Sequence, residues 1–241
     1  MISVVWSGPP HRLTRDVVDF SSSKKMPLLT YGDHPRQRLL VREGSLVSGK
    51  WLVIIHGGLW RDQRITEQAG TLLAEELAHL FAGVASIDYR LTPEIHHPAH
   101  MEDCEVAVRT IIDKFHPQQL VFLGHSAGCY LAGQIAPLFP TSLVIGLEGI
   151  FDIEQLVNEY PVLSQSIAEA FPNEYSPPDW KTVPLAIVHS TSDELLSFRQ
   201  PDIGQKLNPE AVFIRGDFGK HDEAFETTRS AGALVELLSI K

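Results

Sequence analysis

The feature that most constrains this chain is an alternation of short apolar runs with longer helix-patterned stretches. Trp51–Ile55, Val84–Asp88, Leu120–Leu123, Leu143–Leu147, Pro184–Val188 and Ala211–Ile214 are nearly all apolar. A strand with one wet face alternates polar and apolar residues, so runs without alternation predict strands covered on both faces. Helical patterns lie between them at about 66–81, 101–115, 126–138 and 222–238, the first with apolar residues recurring at i, i+4 and i+8. Strand–helix alternation means right-handed βαβ units and a mainly parallel central sheet with helices on both faces. The chain reads as one α/β domain spanning residues 1–241. Two stretches resist this pattern. Residues 1–47 are mixed, with Arg38–Arg42 as a strand at an antiparallel edge. Residues 151–183 carry Pro161, Pro172, Pro177 and Pro178 among aromatics, which predicts irregular or short-helical structure where a pocket lid would sit.

Composition removes several classes of function. Hydrophobic residues are 44% of the 241 and charged residues 21%, which excludes a disordered chain. Twenty basic and thirty acidic residues give a net charge of −10, with no Lys/Arg-rich run. Such a body repels phosphate backbones and anionic lipid, so the expected partner is a small-molecule substrate, with no nucleic acid and no membrane. Cys104 and Cys129 are too few for a disulfide scaffold and lack CxxC spacing. No signal-peptide pattern and no apolar window of roughly 18 residues occurs, so a cytoplasmic location is expected.

The chemistry is carried by glycine-flanked turns. Gly124-His125-Ser126-Ala127-Gly128 follows a predicted strand and opens a predicted helix. By chance alone a G-x-S-x-G match arises in about one chain in ten of this length. Its place on a strand-to-helix turn is what a nucleophile elbow requires, with Ser126 as nucleophile. His56-Gly57-Gly58-Leu59-Trp60 also follows a strand, and a Gly-Gly step exposes backbone N–H groups. The amides of Gly57, Gly58 and Ala127 would form an oxyanion hole. A serine needs a base, and the base needs an orienting acid, in the chain order serine, acid, histidine. Asp193 follows the Pro184–Val188 run and His221 follows Ala211–Ile214, which suits them as acid and base. Glu194, Asp222 and Glu148 are alternative acids. His125 and Cys129 read as structural. The cluster His96, His97 and His100 lacks the partners of a metal motif, so neither a metal nor another cofactor is expected.

Together with Asp88-Tyr89-Arg90-Leu91-Thr92-Pro93-Glu94, these motifs resemble the α/β-hydrolase fold, in particular its arylformamidase (kynurenine formamidase) branch. The H-G-G-x-W form is the discriminating feature, and Tyr31-Gly32-Asp33 with the following Gln37–Val41 is similar as well. The resemblance implies hydrolysis of N-formyl-L-kynurenine to L-kynurenine and formate, a step of tryptophan degradation. By it Ser126 is the nucleophile, Asp193 the orienting acid and His221 the general base, on a fold without a full cap domain. It also suggests a homodimer. For the substrate, Trp60 beside the oxyanion hole is a candidate wall of an aryl pocket, and Phe151, Tyr160, Trp180 and Phe225 are candidates for stacking on the ring, with core packing the commoner role of each. Glu148 is expected to meet the substrate's ammonium group. A carboxylesterase for short acyl or aryl esters, and a non-catalytic hydrolase-fold receptor, are the alternatives.

Overall fold

The computed structural model describes residues 2–6, 27–44, 49–173 and 176–239. Much of the stretch expected to be mixed lies outside them. The strands are β1 (Ile2–Val5), β2 (Leu28–Thr30), β3 (Arg38–Glu43), β4 (Lys50–Ile55), β5 (Gly83–Ile87), β6 (Gln119–His125), β7 (Thr141–Leu147), β8 (Leu185–Ser190) and β9 (Val212–Gly216). They form one sheet in the order β1-β9-β8-β7-β6-β4-β5-β3-β2. The pairs from β5 through β4 to β9 and β1 are parallel, while β2 and β3 are antiparallel. The Arg38–Arg42 run is therefore an antiparallel strand near one edge, as its sequence suggests, with β2 outside it.

The absence of alternation in the apolar runs has a direct cause. Along β4, Trp51, Val53 and Ile55 enter one core, while Leu52 and Ile54 enter the other. The first core is shared with α2 (Ala99–Phe115) and α3 (Ala127–Ile135), the second with α1 (Thr71–Leu77) and α8 (Ala231–Ser239). Both faces of the sheet are dry, so each strand position is free to be apolar.

Two expected helices are shorter or broken. The first begins at Thr71 rather than near Thr66 because Gly70 stands at φ 73° before it. A side chain at Gly70 would also run into the Phe225 ring. The last divides into α7 (Glu223–Glu226) and α8, with Thr227 extended between them. Thr227 Oγ1 donates to the Glu223 carbonyl at 2.5 Å, and Ser230 Oγ donates to the Ala224 carbonyl at 2.6 Å. The Glu223 carbonyl also accepts the Thr227 amide at 3.3 Å, and the two hydroxyls occupy the last carbonyls of α7, closing that helix early. The 151–183 stretch is short-helical, holding α4 (Ile153–Glu159) and α5 (Ser164–Ala170) before β8, with α6 (Arg199–Leu207) following that strand.

Helix α3 lies unusually close to the sheet at Gly128. A Cβ there would stand 2.2 Å from the Ile55 carbonyl oxygen and 2.5 Å from that of His56. Because both obstacles are backbone, Gly128→Ala must push α3 away from β4. The expected loss is about 1–3 kcal/mol, read as a melting temperature lower by roughly 3–10 °C. An unchanged melting temperature would contradict this tight approach.

Candidate active site

Strand order locates the chemistry. From β4 the chain steps to β5 on one side, then crosses back to β6 on the other, so β4 and β6 flank a topological switch point. Loops leaving their carboxyl ends diverge and open a crevice there. Both glycine motifs sit at that crevice, since Ile55 and Gly124 are register partners.

Ser126 caps α3 with φ 52° and ψ −120°, a conformation that non-glycine residues rarely adopt. Its amide donates to the Leu147 carbonyl at 3.1 Å, and its own carbonyl accepts from Cys129 and Ile150, each at 3.1 Å. Those bonds hold the strained turn. The serine remains 9% exposed.

The H-G-G-L-W loop packs directly against it. A Cβ on Gly57 would stand 2.8 Å from Ser126 Cβ, so only glycine permits the approach. Among the described residues, no hydrogen bond is made by the amides of Gly57, Gly58 or Ala127. Amides beside the serine without a partner in the fold are what an oxyanion site needs. The loop is braced from below. Tyr89 Oη donates to the His56 carbonyl at 2.9 Å, and the two rings stack at 4.5 Å. His56 Nε2 lies 3.1 Å from Asp88 Oδ1, which Arg36 Nη2 approaches to 2.7 Å. Motif spacing alone did not assign this bracing to Asp88, Tyr89 and Arg36. The D-Y-R-L-T-P-E match was the signal for Asp88 and Tyr89, and Arg36 carried none.

Asp193 and His221 meet at the ends of β8 and β9. His221 Nδ1 lies 2.8 Å from Asp193 Oδ2. Asp193 Oδ1 accepts the amides of Leu195 at 2.8 Å and Leu196 at 2.9 Å. Burial alone would raise this carboxyl, but hydrogen bonding to His221 and that ring's charge outweigh it, holding Asp193 well below the ordinary carboxylate range. The alternative acid Glu194 serves another purpose, accepting the His221 amide at 3.0 Å. Asp222 is exposed. Ser190 ties the two loops together, its hydroxyl donating to the Gly219 carbonyl at 2.6 Å and accepting the Phe218 amide at 3.0 Å. His125 lies flat on Phe225 with ring centres 4.5 Å apart, and its Nε2 lies 3.2 Å from the His221 carbonyl. It supports the base loop from the serine side.

The residues expected to touch substrate are walled in, which corrects that part of the reading. Trp60 and Glu148 have no accessible surface, and Phe151 has 1%. Trp60 packs edge-on against Phe171 at 4.8 Å, and Phe151 against Trp180 at 5.1 Å. Core packing claimed these large rings, as it commonly does. Trp180 and Phe225 are buried too, and Tyr160 is half-buried, its Oη accepting the Ser197 amide at 3.1 Å. Glu148 turns toward Ser190 and His189, so it cannot meet a substrate ammonium. A cleft of about 510 Å³ adjoins the crevice, lined in part by Asp62, Arg64, Ile65, Asp222 and Glu226, but none of Ser126, Asp193 and His221 lines it.

The arrangement agrees with sequence relationships. A family model described as the alpha/beta hydrolase fold matches residues 52–200, and the chain belongs to that family. It is 29% identical to a kynurenine formamidase of Meyerozyma guilliermondii, across 90% of this chain and 94% of that one. It is 27% identical to the kynurenine formamidase of Saccharomyces cerevisiae, across 80% and 90% respectively. Among solved structures, esterase B of Lactobacillus rhamnosis superposes with a TM-score of 0.72 at 17% identity, covering 90% of this chain and 86% of that one.

The His96, His97 and His100 rings are committed to separate partners. His96 Nδ1 faces the Glu169 carbonyl at 2.7 Å, His97 stacks on Phe171 at 4.7 Å, and His100 Nε2 lies 3.2 Å from Thr92 Oγ1. Burial lowers His97 to about 4 and His100 to about 3. In the unfolded chain such groups titrate near pH ~6.5. Their stabilising contribution is complete above that pH and is lost as pH falls toward the folded values, because the unfolded chain binds protons the native state excludes. For His100 the slope approaches about 1.4 kcal/mol per pH unit. His100→Gln should therefore flatten the decline in urea-unfolding free energy between roughly pH 6 and pH 4. A decline as steep as the wild type's would refute the assignment.

Proposed function

We propose that this protein hydrolyses N-formyl-L-kynurenine to L-kynurenine and formate, using Ser126, His221 and Asp193 as a catalytic triad. The carrying observation is the pairing of His221 Nδ1 with Asp193 Oδ2 at 2.8 Å beside a strained serine turn that faces unpaired loop amides. Similarity to kynurenine formamidases over most of the chain supports the substrate.

With Asp193 fixing the Nδ1–H tautomer, His221 Nε2 takes the Ser126 Oγ proton as Oγ bonds to the formyl carbon. The carbonyl electron pair moves onto oxygen, and the amides of Gly57, Gly58 and Ala127 stabilise that alkoxide. Collapse breaks the C–N bond, and His221 returns its proton to the departing arylamine nitrogen. Water, deprotonated by His221, then attacks the formyl-serine ester; collapse breaks the bond to Ser126 Oγ, which recovers its proton from His221 Nε2, and formate leaves. A formyl group is the smallest acyl group, which suits a serine packed this closely against Gly57. A cytosolic setting is supported by Cys104 and Cys129, both buried and unpaired. No helix among the described residues is long and apolar enough to cross a membrane.

An ester-cleaving role is the second reading, favoured by the burial of Glu148, which removes the acid expected to meet a substrate ammonium. Steady-state kinetics on N-formyl-L-kynurenine and p-nitrophenyl acetate separate the two. A kcat/KM of about 10⁴ M⁻¹s⁻¹ or more on the formamide, well above the ester, is expected. The reverse ranking moves the protein to the esterases, and no turnover of either moves it to the non-catalytic receptors. Ser126→Ala should fold normally and lose about 10⁴-fold or more in kcat. Asp193→Asn should lose on the order of 10⁴-fold through the wrong imidazole tautomer. Near-normal turnover in either variant would remove that residue from the mechanism.

A further inference from the structure

Glu148 follows β7, the strand lying between β6, which leads into Ser126, and β8, which leads toward Asp193. Its side chain is fully buried and its backbone stands at φ 48°. Burying a carboxyl and placing it on a left-handed backbone are both unfavourable, so surrounding contacts must specify the residue.

Those contacts define its state. Oε1 accepts the Ser190 amide at 2.8 Å, and Oε2 lies 2.8 Å from His189 Nδ1. His189 Nε2 lies 3.2 Å from the Leu196 carbonyl, which can only accept, so Nε2 carries hydrogen. Neither atom has an aligned hydrogen-bond partner, yet two facing lone pairs at 2.8 Å would repel, so one of the two atoms carries hydrogen. Whether it resides on Glu148 or on His189, the pair carries no net charge. Burial raises Glu148 and lowers His189, favouring two neutral groups. Ligating atoms of Glu148, His189 and Asp193 all lie within 4.8 Å of one another.

We propose that the Glu148–His189 pair is a positioning device for Asp193: a buried, net-neutral carboxyl–imidazole pair packed against the acid, which leaves Asp193 as the single anion bonded to the His221 ring. The inference rests on the triad reading above. A second ionised carboxylate here would repel Asp193 and overstabilise the His221 imidazolium, taking the base out of use. Other groups acting on the cluster are Arg215 of β9 and Asp202 of α6, which bear on His189, and Glu194, which holds the His221 amide. A glutamine at 148 would accept from Ser190 and offer two donors toward His189 and Asp193, reproducing the neutral pair.

The test compares Glu148→Gln with Glu148→Met, which keeps the volume and removes the hydrogen bonds. Readouts are kcat, KM and the pH profile of kcat/KM on both substrates, with the downfield proton resonance of His221 Nδ1–H in the resting protein. Glu148→Met should lose about 10- to 100-fold in kcat with KM within about twofold, and its downfield resonance should shift or broaden. Glu148→Gln should recover kcat to within about threefold and keep the wild-type acid limb and resonance. Wild-type kcat in Glu148→Met overturns the proposal. So does an acid limb displaced by more than about half a pH unit in Glu148→Gln, which would mean Glu148 had carried charge beside His221. If Glu148→Met does not fold, the pH profile and resonance of Glu148→Gln decide. Turnover retained in Ser126→Ala, measured in parallel, would instead defeat the triad reading, whereas the resonance needs no turnover.

Discussion

The structure depends on the reversal of strand order at β4 and β6. Parallel strands deliver their carboxyl ends to one edge, and at the reversal the departing chains separate instead of covering one another. The serine turn and the glycine loop are thereby set face to face, although almost seventy positions of chain separate Gly57 from Ser126. Every other contact in the site refines that placement. Gly57 lets the loop approach the serine, and Gly128 lets α3 settle against the ends of β4, where a methyl group would meet backbone carbonyl oxygen.

Unfavourable backbone is concentrated around the same crevice. Leu59, Trp60, Ser126 and Glu148 all stand at φ between 48° and 58°. They leave three adjacent strands, β4, β6 and β7. Such conformations persist only when the surroundings over-determine them. Here Trp60 is buried among aromatic rings, the Ser126 backbone is bonded to Leu147, Cys129 and Ile150, and the Glu148 amide donates to Val188 at 3.0 Å. The rigid, doubly covered sheet is what makes strained turns affordable at its edge.

On the acid side the organising interaction is electrostatic. Asp193 is buried, yet it stays ionised because one oxygen meets the His221 ring and the other accepts two amides. A second carboxyl lies close by, and its pairing with a buried imidazole keeps it from competing. The H-G-G-L-W side shows the same economy of charge: Asp88 is buried between His56 and Arg36, so its charge is paired.

Much of this was legible in the residues. Unbroken apolar runs declared a sheet covered on both faces, and the order of G-x-S-x-G, Asp193 and His221 put forward a serine, an acid and a base, because local periodicity and turn chemistry are written in neighbouring residues. The bracing of His56 by Asp88 and Tyr89, the support of His221 by Glu194 and Ser190, and the burial of Trp60, Phe151 and Glu148 were not. An aromatic ring or a carboxylate has the same local signature in a core as in a pocket. Which it becomes depends on residues brought from distant strands, so sequence alone determined the fold class and put forward Ser126, Asp193 and His221 as candidates. Only tertiary packing decided which polar side chains face the crevice and which are sealed behind it, since desolvation is a property of the assembled interior.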